Sequence, residues 1–219
     1  MRQWQTIRAS ALHRHVHSHA YAAVVLSGTY EEAGDSGRFF VQAGDVMLHE
    51  QFEAHQNRIP QAGAVVLNLR LPNGHRFQPG LGKLADPDFL VTLAEKCEAQ
   101  AASVLLSSIK MQPQESTDWP DELARDLLHE PILRLSGWSH EKGIAAWETS
   151  RTFTRIFGIT PSAFRARARA RAAWKIVMRT DEPLASIAAR LGFADQAHMT
   201  RGVKALTGHC PRVWRNACK

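Results

Sequence analysis

The sequence predicts an α+β chain, with a small antiparallel β-barrel first and an all-helical region after it. From about residue 10 to 71, β-branched and aromatic runs such as "YAAVVLSGTYEE", "GRFFVQAGDVMLHE" and "GAVVLNLRLP" alternate with glycine-containing turns. Short strands at this spacing belong to a sandwich or barrel. From residue 131 onward the texture is helical, in short segments punctuated by glycine and proline. The charge divides at the same place. Residues 1–130 carry 11 Lys and Arg against 16 Asp and Glu, and residues 131–219 carry 16 against 5, so the overall +6 combines −5 in the first half with +11 in the second. A half that basic calls for a polyanion as its partner.

Composition narrows the classes further. At 219 residues and 44% hydrophobic content the chain can bury the cores of two domains. No apolar run approaches the roughly 20 residues that cross a bilayer, and "MRQWQTIRAS" lacks the apolar core of a secretory signal. A cytoplasmic location and no membrane partner are expected. Cys97, Cys210 and Cys218 are odd in number and form no CxxC pair, which points away from a disulfide framework or a thiolate zinc site.

Taken in order, the first chemical signal is "HRHVHSH", with His13, His15, His17 and His19 at every second position. Along a strand, alternate residues share a face, so all four imidazoles would point one way, toward a metal, a small ligand or solvent. After the strands and the loop "PNGHRFQPGLGKLADP", residues 88–109 place Leu90, Leu93, Ala94, Cys97, Ala101, Val104 and Leu105 at helical spacing behind Pro87. This predicts one amphipathic helix of about twenty residues, serving packing or dimerisation. "KMQPQESTDW" is a polar linker, and "PDELARDLLHE" a short helix leading out of it. The expected domains are residues 1–85, a helical connector over 86–130 and a helical domain over 131–219.

Within the helical domain two segments share one plan, "LSGWSHEKGIAAWETSRTFTRIFGITP" and "LASIAARLGFADQAHMTRGVKALTGHCP". Each has a short helix, a glycine (Gly143 or Gly192), a second helix, and a glycine just before a proline. Such glycines take the left-handed conformation that tight inter-helix turns require, so two tandem helix-turn-helix units are predicted. In the second unit Asp195 is the expected N-cap, Met199, Val203 and Leu206 form the inward stripe, and Gln196, Ala197, Thr200, Arg201 and Lys204 face out. In the first, Phe153 and Ile156 face inward while Trp147, Ser150, Arg151 and Thr154 share the opposite face. Gln and Arg pair bidentately with adenine and guanine edges, Thr and Lys suit phosphates, and an exposed Trp can meet a thymine methyl or a sugar. The connecting helix "TPSAFRARARARAAWKIVM", with Thr160 and Pro161 as a good helix start, carries Arg165, Arg167, Arg169 and Arg171, which fan around it toward phosphate, solvent or acidic side chains. It lacks the clean apolar face of a membrane-surface helix.

"RTFTRIFGITPSAF", "PLASIAARLGF" and "QAHMTRGVKALTGHCPRVWR" resemble the AraC/XylS transcriptional regulators over about residues 131–216. The resemblance implies two reading helices placed in successive segments of a major groove, with base contacts falling on Trp147, Ser150, Arg151, Gln196, Ala197 and Arg201. Met199 and Val203 stand where aromatic core residues are usual, Gly202 interrupts a helix, and Ala145 occupies a cap position.

The N-terminal region, "HVHSHAYAAVVLSG" with "AGDVMLHEQFEAHQNRI", resembles a cupin-like sensor barrel. In cupins an HxH pair, a distant His and often a Glu hold a divalent metal. By position His17 and His19 are the pair, His55 is the third ligand and His49 an alternate, while Ala23 and Val24 occupy the region of the Glu. Three imidazoles can hold zinc or another late first-row metal. The same histidines could equally line a pocket for an organic effector. The expectation is therefore a DNA-binding transcriptional regulator with a metal or small-molecule effector, no catalytic residues, and RNA polymerase and a second copy of the chain as candidate partners. The alternative is a metal-dependent cupin enzyme with a basic helical appendage.

Overall fold

Strand β3, Tyr21–Gly34, organises the first half of the chain, because its 14 residues serve two sheets in turn. In the computed structural model, which describes residues 4–7, 10–72, 76–113, 118–130 and 132–217, the other strands are β1 (Trp4–Ile7), β2 (Ser10–Val16), β4 (Gly37–Gln42), β5 (Asp45–His49), β6 (Ala54–Ile59), β7 (Ala64–Arg70), β8 (Gly80–Lys83) and β9 (Lys110–Met111). The first part of β3 pairs antiparallel with β5 and β7 in a sheet ordered β1-β7-β3-β5-β8-β9; the second part pairs with β4 and β6, and β6 with β2. The change of sheet falls near Gly28, whose φ is +78°. A Cβ there would lie 2.1 Å from the Gly63 carbonyl oxygen, so only glycine allows this approach.

The run "YAAVVL" is apolar on both faces because both faces are covered. Tyr21, Ala23 and Val25 point inward with Tyr30, Phe39, Val41, Met47, Ile59 and Val66. Ala22 and Val24 point outward, with Val46, Leu48, Leu67 and Leu69, onto two helices. These are α1 (Pro87–Lys96) and α2 (Glu98–Ser108), which replace the single predicted helix. The break is at Cys97, extended with φ −156°, and it lets the Glu98 carboxylate accept the Arg70 amide at 3.0 Å. Of the predicted stripe, Leu90, Ala94, Ala101 and Leu105 are buried on the sheet and Leu93 and Val104 partly so, with Ala102 beside them, whereas Cys97, at the break, is exposed. The chain then returns to pair β9 with β8, so the start of the predicted linker is a strand; residues 114–117 of it lie outside those described.

The chain forms two units, residues 1–117 and 118–219. The expected 86–130 connector is thus divided between them. The second unit holds α3 (Trp119–His129), α4 (Leu135–Glu141), α5 (Ala146–Phe157), α6 (Pro161–Arg179), α7 (Leu184–Arg190), α8 (Gln196–Thr207) and α9 (Pro211–Ala217). α3 buries Leu123, Ala124 and Leu127, and its Asp126 accepts the Trp138 indole N–H at 2.8 Å. The predicted pairs are present as α4–α5 and α7–α8, turning at Gly143 (φ +67°) and Gly192 (φ +69°). α6 runs past both. Phe164 near its start packs on Phe153 and Phe157 (ring centroids 5.4 and 5.7 Å), and Trp174 near its end packs on Trp214 at 5.9 Å. Thr160 caps α6 and Asp195 caps α8 as expected, the latter accepting the His198 amide at 2.6 Å; Ala145 gives α5 no side-chain cap. Of the three cysteines, Cys97 and Cys210 are free thiols, and Cys218 lies outside the described residues.

Candidate functional site

Inside the barrel, β2 and β6 run antiparallel with Leu12 opposite Asn57 and His15 opposite His55. Two residues on β2, His13 and Arg14, therefore face one on β6, Gln56, which is a β-bulge. The bulge breaks the alternation that would align all four histidines: Leu12 and His15 turn to the cavity and His13 is exposed. His17 follows the strand's end. Its carbonyl accepts the Phe52 amide at 2.9 Å, and Phe52 itself is held at φ +59°, a conformation that costs a non-glycine residue about 1–2 kcal/mol. His55 is admitted by Gly34 opposite, where a Cβ would come within 2.9 Å of the His55 Cβ.

The outcome is a cluster of His15, His17 and His55, one nitrogen from each lying within 4.8 Å of the others. The ring centroids of His15 and His17 are 4.5 and 5.3 Å from that of His55. His17 and His55 were expected here; His15 was not, and it takes the place expected for His19, whose ring centroid is 6.2 Å from that of His17 and which lies outside the cluster. His49 forms a second, wholly buried group with Glu32 and His55, again within 4.8 Å. Its Nε2 is 3.5 Å from Glu32 Oε1, and its ring stacks on Tyr21 at 4.5 Å.

Glu32 is the cavity carboxyl group that the sequence pattern did not reveal. The region where a cupin-type Glu would stand holds Ala23 and Val24, both buried in sheet packing. Glu32 instead comes from the far part of β3, 3% exposed, accepting a hydrogen bond from Asn57 Nδ2 at 2.9 Å. The available signal was alternation, since Tyr30 and Glu32 share a face of β3 as His55 and Asn57 share a face of β6.

His15, His17, His19, Tyr21, Glu32 and His55 line a cavity of about 340 Å³, so His19, though outside the three-histidine cluster, faces the same space, and His49 does not line it. Burial, aided by the neighbouring His15 and His19, lowers the pKa of His17 to about 4. Burial likewise pushes His55 far below the usual imidazole range, with His49 and His15 adding to it, and Tyr21 far above the usual phenol range, with Glu32 adding to it. Burial raises Glu32 to about 8, opposed by the Asn57 hydrogen bond and assisted by Glu53. His17 and His55 are thus neutral near pH 7, the form that binds metals. His17 Nε2, His55 Nδ1 and Asn57 Oδ1 are buried with no hydrogen-bond partner among the described residues, a pattern that suits a ligand supplying the missing partner.

The helical unit presents two exposed faces. On α5, Trp147 is 67% exposed and Arg151 is exposed, with Ser150 and Thr154 half-buried beside them. The Thr154 hydroxyl donates to the Ser150 carbonyl at 2.7 Å and is turned to its own helix. On α8, Gln196, Ala197, Arg201 and Lys204 are exposed and Thr200 is half-buried. The inward residues Phe153, Met199 and Val203 are fully buried, Ile156 is buried, and Leu206 is half-buried. Two arginines of α6, expected at phosphate, solvent or acidic groups, donate instead to backbone carbonyls within the unit: Arg165 to Leu133, and Arg169 to Gly192 at 2.7 Å.

Residues 138–217 match the family model described as a helix-turn-helix domain. No curated protein matches the chain. Similar solved structures include the C-terminal domain of AraT, a response regulator from Geobacillus stearothermophilus, at 19% identity and TM-score 0.42 over 45% of this chain and 84% of that one. A probable AraC family transcriptional regulator from Rhodopseudomonas palustris is 19% identical, with TM-score 0.41, over 44% and 94%. ToxT from Vibrio cholerae is 9% identical, with TM-score 0.46, over 100% and 99%. Among the described residues, no helix is long and apolar enough to cross a membrane.

Proposed function

We infer, on the premise that residues 138–217 are a helix-turn-helix domain of the AraC type, how the two halves of a DNA-binding transcriptional regulator divide its work. The second unit reads DNA through Trp147, Ser150 and Arg151 on α5 and through Gln196, Ala197 and Arg201 on α8, while Thr200, Lys204 and Thr154 lie toward the backbone. The first unit receives an effector in the histidine cavity and acts as the sensor, in the cytoplasm where the DNA is.

The convergence of His15, His17 and His55, with buried nitrogens lacking partners, carries the sensor reading. Three imidazoles, those of His17 and His55 held neutral by burial, fit a divalent late first-row ion such as zinc. An ion held by these nitrogens would tie the segment of His15 and His17 to His55 on β6. An organic ligand that hydrogen-bonds the same nitrogens is the other form of the reading.

One observation favours a second reading, a metal-dependent enzyme: Glu32 supplies the carboxyl group that the sequence lacked at the usual place. It is hydrogen-bonded and held largely protonated near pH 7, which suits neither a ligand nor a general base. Protein purified without tag or chelator, assayed for bound metal, for DNA binding before and after metal removal, and for turnover of candidate substrates, decides among these. Metal-dependent DNA binding without turnover is expected; turnover would replace the sensor by the enzyme.

A further inference from the structure

The alternating arginines of α6 do not act as one basic stripe. Residues four apart on a helix share a face, so Arg165 and Arg169 form one pair. Arg165 donates to the carbonyl of Leu133, in the loop between α3 and α4 at the entry to the first helix-turn-helix unit. Arg169 donates to the carbonyl of Gly192 at 2.7 Å, in the left-handed turn between α7 and α8. Its guanidinium also lies over the Phe193 ring, 5.2 Å from the centroid. Phe193 is buried and meets the His198 ring edge-on at 5.4 Å, on the first turn of α8. One face of one helix thus grips both units, each at the segment that leads into one of its helices.

We propose that Arg165 and Arg169 are positioning residues that fix the two reading helices relative to each other, and so set the spacing of the two DNA segments the chain accepts. A planar guanidinium that both donates to a carbonyl and stacks on a ring restrains a turn in position and tilt, which a flexible ammonium does not. α8 packs on α6 with Gly202 facing Ala170, and the Arg169 hydrogen bond adds a directional restraint at the turn that leads into that contact. Because a bihelical reader must match two groove segments together, an error of orientation at one head reduces affinity at both.

The inference rests on the DNA-binding reading, and the experiment separates the two. The full-length chain selects a duplex from a random-sequence pool; failure to select any sequence would defeat the DNA-reading itself. Derivatives of the selected duplex with one base pair inserted or removed between the two contacted segments then give a spacing profile. Arg169→Met is expected to keep the wild-type circular dichroism, to bind the selected duplex about tenfold more weakly, as loss of a charge-assisted hydrogen bond would give, and to discriminate less among spacings. Arg169→Lys keeps the charge and should behave like Arg169→Met. Arg165→Met should also flatten the profile. An unchanged spacing profile overturns the proposal. So does a loss in which Arg169→Lys is rescued and Arg169→Met lowers the slope of log affinity against log salt by about one, the mark of a phosphate contact. If Arg169→Met does not fold, Phe193→Leu removes the ring beneath the guanidinium and takes the same spacing test, with the same overturning result.

Discussion

His15 and His55 stand in register across β2 and β6, their ring centroids 4.5 Å apart at 80°, while His13, two residues earlier on the same strand, is exposed. The bulge between Leu12 and His15 makes the difference. It sets which histidines can share a ligand, and it ranks their variants.

His15→Ala, His17→Ala and His55→Ala should each abolish stabilisation of the chain by zinc, whereas His13→Ala and His19→Ala should retain most of it. A ligand at about a hundred times its Kd stabilises the folded state by about 2.7 kcal/mol, readable as a rise in melting temperature. Equal damage from His13→Ala would show that the strand runs in another register. No zinc-dependent rise in the wild type, repeated with nickel, manganese and iron, would leave the organic-ligand form.

Glu32 makes the first unit less stable in alkali. Its folded pKa, about 8, lies above its ordinary 4.5, so the stability its proton confers is full below pH 4.5 and is lost as pH rises through 8. A decline of a few kcal/mol between pH 5 and 9 is expected. Glu32→Gln, which still accepts from Asn57 and cannot ionise, should remove the decline. Denaturant midpoints at both pH values, taken for both proteins, test this; parallel declines would contradict it.

On DNA, Arg151→Ala and Arg201→Ala should each cost about 1–3 kcal/mol at the preferred sequence and relax preference at one base pair. Lys204→Ala should weaken binding to all sequences alike. Competition binding against single-base variants distinguishes the two behaviours, and uniform losses for all three would mean the exposed faces are not the reading faces.

Gly202→Ala should stabilise the second unit by about 0.5–1 kcal/mol, the helix-propensity difference. The added Cβ would meet Ala170 and Phe193 at 3.5 and 3.6 Å, ordinary contact distances. A lower thermal midpoint would mean that α6 and α8 approach more closely than this.

A fragment of residues 118–219 should bind DNA alone, with affinity falling as salt rises because its cationic side chains must release counterions. A fragment beginning at residue 131 should melt lower, since it lacks Leu123, Ala124 and Leu127 of α3 and leaves the Trp138 indole without Asp126. Salt-insensitive binding, or equal stability of the two fragments, would refute one or the other claim.

Local signals were sufficient in the helical half. Apolar spacing, Asp195 and Thr160 as caps, and Gly143 and Gly192 at turns are each decided within a few residues, so both helix pairs and their exposed faces could be read directly. The order of strands followed by helices, and the acidic and basic halves, were legible for the same reason. The break at Cys97 was not, because Leu90 through Leu105 keeps a continuous helical spacing, and the contact made beside the break, Glu98 with the Arg70 amide, lies 28 residues away along the chain. Nor could alternation alone reveal a bulge, since the extra residue is defined only by its partner strand. That is why His15 displaced His19, and why Glu32, from a part of β3 beyond its change of sheet, became the carboxyl group of the cavity. The arginines of α6 belong with these: their sequence shows charge and spacing, but which carbonyls they reach is decided by how two helix pairs fold back on one helix. Sequence determines what is settled by neighbours along the chain, and tertiary structure decides what is settled by neighbours across it.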